Sequence, residues 1–144
     1  MSERISRLCD ELRIKLHGLD RRLEAIKSNG VATFDHAQDA LEAQLDRVEQ
    51  RIYDHRVTVE VANVRVKAWV AEKKFVLQAS PTPKTAHAKI HLLEGQADDA
   101  ENYAAAAFEL ATAAADEAIM AVLQAVLARN KADQAAFRGL DTSG

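Results

Sequence analysis

The chain has 144 residues, 48% of them hydrophobic and 28% charged, with a formal net charge of −3. That is the length of one domain, and the chain is too apolar and too nearly neutral to be disordered throughout. Its five glycines and two prolines are too few for a many-turned β fold, and the charge balance disfavours general electrostatic binding to nucleic acid.

Breakers divide the chain. Ser28-Asn29-Gly30 suits the left-handed residue that ends a helix, and Ser80-Pro81-Thr82-Pro83 ends a second and starts a third. Thr33 is the expected N-cap of the middle segment, Ser80 or Thr82 that of the last, and Gly139 a C-terminal stop. Three helices are predicted, over 3–28, 34–79 and 84–137. The expected fold is all-α within one domain, 1–144: a long antiparallel helical hairpin with a shorter N-terminal helix, like a three-helix bundle or coiled coil.

The first helix carries Ile5, Leu8, Leu12, Leu16, Leu19, Leu23 and Ile26 at steps of three or four, one continuous apolar stripe. Cys9, the single cysteine, reads as a small buried or half-buried residue beside Leu8 and Leu12. A lone thiol fits a reducing compartment, and the mixed charges of the N-terminus do not resemble a secretory signal. The basic pair Arg21-Arg22 reads as a solvated face.

The second helix steps four, three from Leu41 through Leu45, Val48, Ile52, His55, Val59, Ala62, Val66, Trp69, Lys73 and Val76. Alternation at Val57, Val59 and Val61 competes as a strand signal, but no turn residue bounds it and a lone strand has no partner, so a helix is expected. His55 is read as a hydrogen-bonded histidine of the core or an interface. In the third helix the same stepping from Ala86 meets alanine at thirteen of fifteen positions; Ile90 and Leu93 are the others. Alanine favours the helix and permits close approach, so this seam is read as the contact face of a tight antiparallel pair. The longest charge-free apolar run, 118–128, falls short of the ~20 residues a membrane span needs, so no transmembrane segment and a cytoplasmic location are expected.

Folding back about residue 82 matches the second and third helices over about 70 Å at 1.5 Å per residue, while the first helix reaches only about 37 Å. Residues 57–107 are then left as a two-helix arm carrying apolar residues on several faces. Val57, Val61, Val64, Trp69, Val70 and Phe75 are the expected self-association surface, most simply of a two-fold dimer. Residues 65–91 are rich in lysine and arginine and 92–128 hold acids without a base; the two stretches are read as facing each other across the hairpin.

One constellation suggests metal chemistry. His87, His91, Glu94 and Asp98 project from one helical face, with Glu72 expected within reach, and imidazoles one turn apart can share a transition metal. His87, His91 and Glu94 are therefore the candidate ligands, although neither HExxH nor paired ExxH motifs occur. No nucleophile-elbow serine or Gly-rich loop is present, so no catalytic residue, cofactor or enzymatic activity is expected. The sequence points to a non-enzymatic structural or protein–protein interaction protein that partners itself, and possibly another helical protein. A small metal- or ligand-binding bundle using the His87/His91 stripe and a peripheral coat on lipid or granule surfaces are the alternatives.

Overall fold

The computed structural model describes residues 1–31, 34–79 and 84–142. Expectations resting on Thr33, on Ser80 to Pro83 and on the Phe75 side chain lie outside the described residues. Among those residues every regular element is a helix, in the order α1 (Glu3–Val31), α2 (Phe34–Asp54), α3 (Arg56–Ala79) and α4 (Ala86–Thr142). The fold is all-α, as its hydrophobic periodicity implies.

Three helix starts share one device. Ser2, His55 and Thr85 each give their carbonyl to the first backbone bond of the following helix, from Ser6, Val59 and Lys89 at 3.0 Å. Ser2 and Thr85 also accept from the helix with their hydroxyls, Ile5 N–H donating to Ser2 Oγ at 3.1 Å and Ala88 N–H to Thr85 Oγ1 at 3.0 Å. Thr85 thus caps α4.

Other boundaries also depart from expectation. α1 runs through Asn29 and Gly30 to Val31, and no described glycine takes a positive φ. Asn29 instead donates from Nδ2 to Gln44 Oε1 at 3.3 Å, a tertiary bond that a left-handed stop would forfeit. The predicted helix over 34–79 is interrupted at His55, an exposed turn residue, which corrects its reading as a histidine of the chain's own core. The β-branched run Val57-Thr58-Val59 follows at once and crowds a continuing turn. Gln50 Nε2 donates to Asp54 Oδ1 at 2.8 Å just before the break. The valine run is nevertheless helical, so the competing strand does not form. α4 continues past 137, through Gly139, to Thr142.

The single domain expected from length is laid out as two compact units. One comprises 15–54 and 114–144, so three helical segments from α1, α2 and α4 pack together. Its core is Ile26, Leu41, Val48, Ile119, Leu123 and Leu127, with Leu19, Leu45, Ile52, Met120 and Val126 packed against it. Burying a Leu, Ile or Val contributes about 1.5–3 kcal/mol each, so these positions dominate the stability of this unit.

The other unit comprises 1–14 and 55–113. Its buried apolar residues are small, Ala62 and Ala106, with Val59, Val66, Phe108 and Leu110 half-buried. The rings of Trp69 and Tyr103 stack at 4.0 Å between centroids with an interplanar angle of 19°. Lys73 Nζ lies 4.4 Å from the Trp69 ring centroid. The first turn of α1 joins this unit: Ser2 Oγ donates to Glu101 Oε1 at 2.7 Å and Arg4 pairs with Glu101 at 3.9 Å. The arm expected over 57–107 is therefore not a bare helix pair, because α1 reaches Glu101.

The stepped positions of α2 and α3 are mostly inward: Leu41, Val48 and Ala62 are buried and Leu45, Ile52, Val59, Val66 and Trp69 half-buried, whereas His55 and Lys73 are exposed. The alanine seam of α4 behaves oppositely. Fourteen of its fifteen positions, from Ala86 to Ala135, are exposed, and Ala107 is half-buried. The packed face is formed instead by larger neighbours, Ile119, Leu123 and Leu127. The reason is energetic: a helix apolar over a wide arc turns inward the stripe that removes most apolar area from water, and alanine offers little. In α1 only Ile26 of the predicted stripe is buried; Leu8 and Leu19 are half-buried, and Ile5, Leu12, Leu16, Leu23 and Cys9 are exposed. Exposure of Cys9 corrects its reading as a buried or half-buried thiol.

α4 is also long and apolar enough to cross a membrane by length and composition, with a mean hydropathy of 1.5 over an 18-residue window.

Candidate functional site

The expected self-association residues lie on α3, where they fall into two groups. At 100° per residue Val59, Ala62, Val66 and Trp69 share the face that packs within the unit. Val57, Val61 and Val64 fall on the opposite side and are 59%, 44% and 64% exposed. α3 is thus apolar on two opposed faces, of which its own chain covers one. Val70, 40% exposed, flanks the packed face. Trp69 belongs to that face, where it is half-buried and stacks on Tyr103 within the chain. Neighbouring α4 adds exposed Ile90, Leu92 and Leu93.

His87, His91 and Glu94 all stand exposed on the first turns of α4. Among the described residues no three histidine, cysteine, aspartate or glutamate side chains are gathered in a geometry that could hold a metal ion. Glu72, expected near this stripe, instead shares with Arg65, Trp69, Asp99, Asn102 and Tyr103 the wall of a cavity of about 340 Å³. Arg65 and Asp99 line it together, as the fold-back implies. The acids of 92–128 nevertheless also pair elsewhere than with 65–91: Glu101 meets Arg4 of α1, and Asp116 meets Arg22 of α1 and Arg51 of α2.

Asp116 is the most unusual polar residue of the fold. It is 4% exposed, within the most apolar part of α4. Arg22 Nη1 donates to Asp116 Oδ1 at 2.7 Å, and Arg51 Nε lies 3.6 Å from the same oxygen. Only the first is a hydrogen bond; the second is an ion pair without one. Arg51 Nε is buried and has no hydrogen-bond partner. Burial pushes the Arg51 guanidinium below arginine's ordinary value, the neighbouring charge of Arg22 adds to this, Asp116 opposes it, and Arg47 lowers it further. Sequence reasoning read Arg22 as part of a solvated face; the structure corrects this by pairing it with a buried carboxylate. The available signal was an acid placed one turn before Ile119 and Met120, in the stretch where α4 is most apolar.

No protein-family model, curated protein or solved structure matches this chain.

Proposed function

We propose that this chain is a non-enzymatic helical interaction protein that works as a homo-oligomer, with the outward stripe of α3 at the contact. The observation that carries the reading is the pair of opposed apolar faces on α3, one packed within its unit and one open through Val57, Val61 and Val64. Completing the burial of half-exposed valines would contribute about 1 kcal/mol each. Association costs some 4–15 kcal/mol, and three valines from each of two copies, about 6 kcal/mol together, offset only the lower part of that range. Ile90 and Leu93, which share one face of α4, are further exposed apolar area, and the exposed alanines allow a second backbone to come close.

The test is mass measurement by light scattering after gel filtration, at several protein concentrations, on the wild type and on Val61→Glu/Val64→Glu. A defined oligomer that the double variant converts to monomer, with helicity intact, is the expected result. A wild-type monomer at high concentration rejects the reading. A second reading, a peripheral coat on lipid, is favoured by the apolar window of α4; binding of the chain to phospholipid vesicles, with concentration-independent mass in solution, would support it instead.

A further inference from the structure

Residues 15–54 and 114–144 enclose a half-open cavity of about 130 Å³. Its floor is apolar, from Ile26, Ile119 and Leu123, and its polar wall holds Arg22, Arg47 and Arg51. Two of these guanidinium groups, Arg22 and Arg51, meet one carboxylate, Asp116, through a single oxygen, and Arg47 adds a third positive charge to the wall. Arg47 makes no ion pair among the described residues, and Arg51 Nε is buried with no hydrogen-bond partner. Gln44, also in the wall, accepts from Asn29 with its Oε1, which leaves its amide nitrogen to donate.

We propose that this cavity binds a phosphate-sized oxyanion, the free ion or the phosphoryl end of a small organic phosphate. The wall holds more positive charge than Asp116 balances, and the apolar floor beneath it strengthens attraction for an anion seated there. Guanidinium groups present planar pairs of donors that match the oxygens of phosphate. The volume is near that of cavities that admit a six-carbon ring, which accommodates five heavy atoms and not a nucleotide; the open side lets an ester substituent project into solvent. Every group involved belongs to one chain, so the proposal stands apart from self-association.

The test is a titration of the full chain with potassium phosphate, ionic strength held constant with potassium chloride, following the arginine Nε–H signals by NMR. One saturable site shifting the signals of Arg51 and its neighbours is expected. Arg47→Gln weakens it about tenfold, as loss of a charge-assisted donor implies, and Asp116→Asn tightens it by removing the competing internal anion. Arg129→Gln, the same charge change at an exposed position of the same unit, leaves it unchanged. Arg47 is exposed and unpaired, so its variant keeps the fold and decides the matter even if Asp116→Asn does not. Glycerol phosphate binding as tightly as phosphate or better assigns the site to an organic phosphate, and weaker binding assigns it to the free ion; both support the proposal. Non-saturating shifts, equal affinity in Arg47→Gln, or acetate binding as tightly as phosphate overturns it.

Discussion

Removing the carboxylate of Asp116 tests how the core of residues 15–54 and 114–144 is held together. Breaking a fully buried ion pair costs about 3–5 kcal/mol, because the surviving charge is stranded. Here the survivors are not stranded: the side chains of Arg22 and Arg51 are 29% and 42% exposed, and both reach water once released. The loss is then set by one charge-assisted hydrogen bond, Arg22 Nη1 to Asp116 Oδ1 at 2.7 Å, while the 3.6 Å contact to Arg51 is discounted for solvent screening. Asp116→Ala is therefore expected to destabilise by about 2 kcal/mol, and Asp116→Asn, which keeps a neutral acceptor, by about 1 kcal/mol. Urea unfolding followed by far-ultraviolet circular dichroism measures both, at one protein concentration so that any association cancels. The midpoint should fall with an unchanged slope. A loss below about 0.5 kcal/mol for the alanine variant, or a larger loss for asparagine than for alanine, would refute the reasoning.

Other substitutions probe separate parts of the fold. Leu123→Ala empties one of the fully buried positions and should cost about 2–5 kcal/mol in the same unfolding experiment. Thr85→Ala removes the hydroxyl that caps α4; a loss of about 1 kcal/mol is expected, with faster amide exchange confined to the first turn of α4. The exposed Cys9 should react with a chromogenic disulfide reagent at the same rate in dilute native protein as in denaturant, and strong native protection would contradict its placement.

The sequence discloses the class of fold because helical periodicity is a local property of α1, α2 and α3, and breakers are few. Leu41 and Val48 sit inward where their spacing puts them, since polar residues hold the far side of the α2 wheel. α4 defeats the same logic: it is apolar nearly all round, so periodicity reveals a stripe of alanines without revealing which stripe meets the core. Its orientation is settled by Ile119, Leu123 and Leu127 packing on Ile26, Leu41 and Val48, residues distant in the chain. The interruption at His55 leaves no glycine or proline to announce it. The cluster of Arg22, Arg51 and Asp116 joins three helices, and no spacing rule links residues 94 positions apart.

Both hydrophobic cores wait for α4. Residues 15–54 have Ile26, Leu41 and Val48 but lack Ile119, Leu123 and Leu127 until the last helix arrives, and the stack of Trp69 needs Tyr103. On the ribosome, α1 to α3 therefore emerge with apolar faces and nothing to close them. Such an interval invites capture by holding chaperones or by a neighbouring nascent copy. It ends in two steps as α4, whose alanines make it helical on its own account, emerges: residues up to 113 complete one unit and those from 114 onward the other. Nonsense or frameshift lesions within α4 should for that reason yield polypeptides that are degraded, not shorter working versions.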